Sequence, residues 1–295
     1  MAPPIEANQR VKLVADVRAN VGEGPVWVAR EQALYWVDNK GRKVFRLDAG
    51  GEVRTFETPF EICCIAPKRS GGFIAGTDHG LADVDLEAGR FEPFANPESW
   101  LPDNRFNDGK TDGAGRFWSG TMDNREQAAT GSLYRLDPSR ICTMVDSGYR
   151  VTNGPAFDRA RRRMYHTDSA LQVIYCFDLS DDGEARERRE FIRFGEGDGS
   201  PDGMTVDCDG NLWVAFWDGW CLRKISPDGE IVERIEMPVQ RPTSCAFGGP
   251  NLDRLYVTSA RRDLDEDALT MQPCAGALFL VDTGARGVAE EEFAG

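Results

Sequence analysis

The sequence predicts an all-β fold, a six-bladed β-propeller of four-stranded antiparallel blades, and three observations carry that prediction. The first is Ser200–Met237, where four short apolar runs (Met204–Val206, Leu212–Phe216, Cys221–Ile225 and Ile231–Ile235) are separated by Asp209-Gly210, Asp218-Gly219 and Asp228-Gly229. Asp-Gly between β-prone runs is a hairpin signal, because glycine takes the positive φ of the turn without steric conflict. Four strands with tight turns make one up-and-down sheet, the size of a propeller blade. The second observation is that this pattern recurs along the chain. The third is that no amphipathic helix of any length interrupts it.

Taken in order, Val11–Val17 is an apolar run with no partner nearby. Blade one starts at Glu23, with turns at Arg30-Glu31, Asn39–Gly41 and Gly50-Gly51. Blade two starts near Glu61, blade three at Asn107, blade four at Asn153, blade five at Asp202 and blade six near Thr243. These heads stand 38, 46, 46, 49 and 41 residues apart, the spacing of propeller blades. Six blades use nearly the whole chain, read as one domain over residues 1–295. The orphan run Val11–Val17 then supplies the outer strand of the last blade, and joining the two ends of the chain removes the open sheet edges that invite aggregation. Three segments break the rhythm, at residues 95–105, 123–130 and 263–273, and are expected as loops over one face.

Composition narrows the function. A net charge of −14 argues against nucleic acid, whose phosphates call for clustered Lys and Arg; the arginines at 159–163 and 186–189 are short runs suited to solvated turns. No apolar stretch approaches the roughly 20 residues of a membrane span. The stretch MAPPIEANQR lacks the basic and apolar regions of a signal peptide, so a cytoplasmic protein is expected. Eight cysteines show no CxxC spacing and mostly sit in apolar runs, as buried free thiols do. With two histidines, His79 and His166, histidine-rich metal sites and a nucleophile–His relay are poorly supported.

The first strand of each blade lines a propeller's axis, so equivalent positions point toward one another. Five of the six heads (Glu23, Glu61, Asn107, Asn153, Asp202, Thr243) offer a carboxylate or amide oxygen. Each triplet alone is an ordinary turn sequence; the signal is the recurrence. Carboxylates and amides gathered in a channel repel and are poorly solvated unless a cation neutralises them. Oxygen donors favour Ca²⁺, Mg²⁺ or Mn²⁺ over thiolate-loving metals. The alternative is a water-filled polar channel that binds nothing.

GEGPVW (22–27), RFNDGKTD (105–112), FWSGTM (117–122), TNGPAFD (152–158) and PDGMTVD (201–207) resemble the SMP-30/gluconolactonase/luciferin-regenerating-enzyme family of six-bladed propellers. NRFNDGK (104–110) is the most specific of these. The resemblance covers most of the chain and implies hydrolysis of a sugar lactone with one divalent cation at the mouth of the channel (Ca, Zn, Mn, Mg or Fe(II)). It puts the metal ligands at Glu23, Asn153 and Asp202, and substrate contacts at Arg105 and Asn107. Animal members carry an acidic pair after GTM where this chain reads Asp123-Asn124-Arg125, so the contact made there by the second acid passes to Asp123 or Asn124, or is lost. The pattern looks closer to bacterial aldonolactonases, with xylono-, arabinono- or gluconolactone as expected substrates, opened with Asp202 as the base, by a monomer or weak homo-oligomer. Two other readings are a calcium-binding regulatory protein without turnover and an interaction scaffold whose channel is incidental, with Trp100, Trp217 and Trp220 as its patch. Asp108 and Lys110 are expected to make structural hydrogen bonds in their turn.

Overall fold

A computed structural model describes residues 9–295; residues 1–8, part of the stretch read for a leader, lie outside them. Six four-stranded antiparallel sheets follow one another around a ring. Blade one is Gly22–Val28, Ala33–Asp38, Lys43–Leu47 and Val53–Glu57. The next four likewise run from inside to outside in chain order, their inner strands being Ile62–Pro67, Asn104–Thr111, Thr152–Asp158 and Ser200–Val206. Blade six takes Pro242–Gly248, Arg254–Ser259 and Leu278–Val281 from the end of the chain, and Val11–Ala15 from its beginning. Val11 lies opposite Val281 and Leu13 opposite Phe279, so the expected closure of the ring by the N-terminal strand is what forms.

Inner strands are mostly buried on both faces; outer strands such as Ala185–Arg193 (ARERREFIR, with four arginines) are mostly exposed. The charged outer edges discourage pairing with other chains. The core is divided into six apolar seams, one at each contact between neighbouring blades. Val26, Tyr35, Ile65 and Phe73 join blades one and two; Leu34, Trp36, Tyr256 and Leu278 join blades six and one. No seam closes until both its blades are present.

Turn chemistry is repeated as well. In blade three Asp112 accepts from Trp118 Nε1 (2.8 Å) and the Ala114 and Arg116 amides; in blade five Asp207 does the same for Trp213 Nε1 (3.0 Å) and the Asp209 and Asn211 amides. One carboxylate thus ties a hairpin turn to the large side chain that follows it. Residues 123–130 and 263–273 connect second to third strands and residues 96–103 lead into an inner strand, so all three fall at the end of the ring where inner strands begin. The loop 263–273 carries a short helix, Glu266–Met271, started by Asp265 accepting from the Ala268 amide. All eight cysteines are free, and Cys63, Cys64, Cys176, Cys221 and Cys245 are buried. No helix among the described residues is long and apolar enough to cross a membrane.

The last residues cross the opposite end of the ring. Gly287 bridges to Asp207 and Phe293 to Lys68, the Ala294 amide donates to Gly115 O (3.0 Å), and Arg159 and Arg69 pair with Glu291. Phe293 is completely buried with Cys64, Phe106 and Phe117 in the seam between blades two and three. Phe293→Ala should therefore lower unfolding stability by about 3–5 kcal/mol, read from urea denaturation, whereas Val288→Ala on the exposed side of the same strap should change it by less than ~0.5 kcal/mol. A loss under about 1 kcal/mol for Phe293→Ala would mean that the strap is not part of the core.

Candidate active site at the mouth of the ring

Every inner strand loses its regular register near its head: between Glu23 and Val26, Ile62 and Cys64, Phe106 and Gly109, Asn153 and Ala156, Pro201 and Met204, and Pro242 and Cys245. A bulge frees backbone groups from the ladder and re-aims a side chain. Gly24 and Gly154, at φ +52° and +73°, stand directly after Glu23 and Asn153 and let the strand turn there.

These bulges bring polar groups to the floor of a cavity of about 590 Å³ at the mouth of the ring, lined among others by Glu23, Arg105, Asn107, Asn124, Asn153 and Asp202. Four of the six blade heads, Glu23, Asn107, Asn153 and Asp202, meet there. The other two do not line it. Glu61 lies just before its strand and pairs with Lys40 (2.6 Å), and Thr243 is buried, donating to Gly22 O (2.5 Å) as a staple between blades six and one.

A chain of side-chain hydrogen bonds runs across the floor. Lys40 Nζ and Arg105 Nε both donate to Asn124 Oδ1 (3.0 and 2.9 Å). Arg105 Nη1 donates to Asn107 Oδ1 (2.7 Å), and Asn107 Nδ2 donates to Asn153 Oδ1 (3.0 Å) and Thr152 O (2.6 Å). Asn153 Nδ2 donates to Ser169 Oγ (2.8 Å), which donates to Pro201 O (2.6 Å), the residue before Asp202. The network orients both asparagines with their donors occupied, leaving Asn153 Oδ1 an acceptor with a spare lone pair.

Asp123 departs from the expectation. Its carboxylate accepts from the Arg125, Gln127 and Ala128 amides (3.0, 3.0 and 2.9 Å) and so builds the loop, pulling its oxygens away from the cavity wall. Asn124, next along, does line the cavity. Arg125 lies on the rim and pairs with Asp103 (3.0 Å). The tryptophans do not gather into a patch: Trp100 is exposed on the loop before blade three, and Trp217 lines the cavity beneath Arg241.

Asp108 is the residue whose place the sequence did not reveal. It does bond within its turn, accepting from the Gly109 amide (2.8 Å), but its second oxygen accepts from the Gly154 amide of the next blade (3.0 Å). It is buried close enough to Glu23 and Asp202 to repel both. Burial, then Asp108, push the Glu23 carboxyl well above its ordinary range, against the pull of the Gly24 amide and Arg105. Burial, then Glu23 and Asp108, do the same to Asp202. Asp108 itself is pushed up by burial to about 6, held down by Lys110 and the two amides. Neither Glu23 nor Asp202 has an ion pair among the described residues; Glu23 accepts only from its own neighbour, the Gly24 amide.

Two buried carboxylates without cationic partners, beside an oriented amide oxygen, form a donor set suited to a hard divalent cation. Among the described residues no three His, Cys, Asp or Glu side chains come together as a metal site, so an ion on this floor would take Glu23 and Asp202 with the Asn153 amide as its neutral ligand.

The same charges link stability to pH. A carboxyl raised in the native state holds its proton more tightly folded than unfolded. The folded state then binds more protons over the interval between the two values, and stability falls as pH rises through it. The chelator-treated protein should lose thermal stability as pH rises from the ordinary carboxylate range through about 6 and above, and the pair Glu23→Gln with Asp202→Asn should flatten that slope. Melting temperatures that rise over the same interval would refute it.

A profile of the SMP-30/Gluconolactonase/LRE-like region matches residues 21–261. A 6-deoxy-6-sulfogluconolactonase of Pseudomonas putida is 36% identical over 98% of this chain and 100% of its own length. A pentonolactonase of Haloferax volcanii is 37% identical over 94% of this chain and 96% of its own. The crystal structure of a calcium-binding protein, regucalcin, from Agrobacterium tumefaciens superposes with a TM-score of 0.91 at 28% identity, covering 95% of this chain and 96% of that one.

Proposed function

This chain belongs to the SMP-30/gluconolactonase/LRE-like family, and from that premise we propose that it hydrolyses the ring ester of a sugar lactone, an aldono-1,4- or 1,5-lactone, to the open aldonic acid. The relatives named for sulfogluconolactone and pentonolactone share this substrate class. The observation that carries the reading is the pair of buried carboxylates of Glu23 and Asp202, without cationic partners among the described residues, at the floor of a sugar-sized cavity.

In this proposal Glu23, Asn153 and Asp202 hold one divalent cation. When bound, such an ion polarises the lactone carbonyl and lowers the pKa of water. The remaining roles fall to side chains. Asp202, whose carboxyl is raised by burial and then by Glu23 and Asp108, accepts a proton from the attacking water. The water oxygen bonds to the carbonyl carbon, the bond from that carbon to the ring oxygen breaks, and the ring oxygen leaves as a hydroxyl carrying the proton that Asp202 returns. Arg105 and Asn107, pre-oriented by one another, position the ring and its hydroxyls. Asn39, buried at the cavity edge with Oδ1 unpartnered, is a further acceptor for a sugar hydroxyl. Asp108 pins the Gly154 amide, and with it the turn that carries Asn153.

A second reading, calcium binding without turnover, draws on the calcium-binding protein of Agrobacterium tumefaciens. The two part on acid release from a panel of aldonolactones: turnover that chelator abolishes and added divalent cation restores is expected, and its absence with cation bound would favour the second reading.

Asp202→Asn should reduce kcat by about 10²–10⁴-fold, with circular dichroism unchanged; a variant keeping more than about a tenth of wild-type kcat would remove Asp202 as the base. Glu23→Gln should act first on cation affinity, with activity returning in excess cation. An inactive Glu23→Gln protein with full cation occupancy would contradict that role.

A further inference from the structure

The rim of the cavity interleaves arginines with the acids Glu126, Asp218 and Asp263. Besides Arg105 on the floor, four arginines line it: Arg125, Arg150, Arg241 and Arg262, in a chain of net charge −14. Three of these four are already engaged. Arg125 pairs with Asp103 (3.0 Å) and Arg241 with Asp218 (2.6 Å), while Arg262 pairs with Asp263 (3.2 Å) and approaches Glu126 (4.0 Å). Arg105 is taken up by Asn107 and Asn124. The guanidinium of Arg150 has neither ion pair nor hydrogen bond among the described residues, and it lines the same cavity.

Its backbone, by contrast, is held firmly. The Arg150 and Val151 amides donate to Asp168 (3.0 and 3.3 Å), a buried carboxylate at the end of the second strand of blade four. Blade one has the same device: the Asn20 and Val21 amides donate to Asp38 (2.8 and 3.0 Å). The equivalent position is asparagine there and arginine here, so the fold asks only for the backbone amide and leaves the side chain free for another purpose. Arg150 lies three residues before Asn153, at most about 10 Å along the chain. Both residues line the same cavity, so the Arg150 guanidinium and the floor are within reach of one small ligand.

We propose that this mouth selects lactones bearing a second anionic group, a carboxylate, phosphate or sulfonate, on the carbon farthest from the ring ester, and that Arg150 is the residue that binds it. Guanidinium fits such groups through two parallel N–H donors, and a site already ringed with paired arginines makes no competing carboxylate contact at Arg150. The floor acids do not oppose this, because the cation assigned to them offsets their charge. The inference rests on the lactonase reading for the orientation of the sugar, yet binding tests it without turnover.

The test is calorimetric binding of three open acids to the purified calcium-supplemented protein: gluconate, glucarate with its second carboxylate, and 6-phosphogluconate. The wild type is expected to bind one or both doubly anionic acids at least about tenfold more tightly than gluconate; a preference for glucarate identifies a planar group, and one for 6-phosphogluconate a tetrahedral group. Arg150→Gln should bring the three within about threefold of one another, and Arg150→Lys should keep part of the preference as a point charge. Equal binding of all three by the wild type overturns the proposal, as does a preference that survives in Arg150→Gln. Turnover of neutral gluconolactone by both proteins reports separately on the lactonase reading: failure there sinks that reading, while the binding ratio still decides the role of Arg150.

Discussion

Three carboxylates, Glu23, Asp108 and Asp202, are buried within reach of one another's charge at the axis, and much of this molecule can be understood as what keeps them there. Left to themselves, they would separate or draw water. They cannot separate, because each stands at a bulge in a strand whose both faces are packed, and Asp108 is tied to the next blade through the Gly154 amide. The ring in turn cannot relax outward while Val11–Ala15 is paired with Leu278–Val281. Repulsion at the centre is thus held by the apolar seams between the blades, which keep the three carboxylates together without a cationic partner for Glu23 or Asp202 among the described residues.

The blades were legible in the sequence because each strand and turn is specified locally. Asp-Gly turns, period and run length are readable without knowing what lies across the ring. Four of the six heads also meet at the axis for a reason visible in the sequence, an oxygen-bearing residue before an apolar strand. Glu61 and Thr243 obey the same pattern and yet face elsewhere, since a neighbouring Lys40 captures the one and the seam to blade one captures the other. Asp123 turns its oxygens elsewhere for a similar reason: three loop amides outcompete an open cavity for them, and of the two candidates it is Asn124 that lines the cavity. Asp108 had a signal, an acid between Asn107 and Gly109 where the strand shifts register, but only the juxtaposition of blades three and four reveals its second partner. Arg150 had none, because an unpaired arginine is recognised by what does not approach it.

Charge is distributed in depth. The floor holds the acids Glu23 and Asp202 with the amides of Asn107 and Asn153, while the rim interleaves four arginines with Glu126, Asp218 and Asp263, and among the described residues Arg150 alone of those four arginines has no acid paired with its guanidinium. Amides neither attract nor repel strongly, and they donate and accept. A polyhydroxylated ring is the kind of molecule that these amides can hold while one end faces the floor acids and the other faces Arg150.

The strap formed by the last residues has a consequence for how the protein is made. Because Leu278–Val281 receives the first strand and Phe293 fills a seam laid down much earlier in the chain, a nascent polypeptide leaves the ribosome with an unpaired edge at each end. Blades one to five can assemble during synthesis, but the circle shuts only once Leu278–Val281 has been made and can receive Val11–Ala15. A chain cut before Leu278 therefore has two sticky margins, the form of failure in which neighbouring copies complete one another.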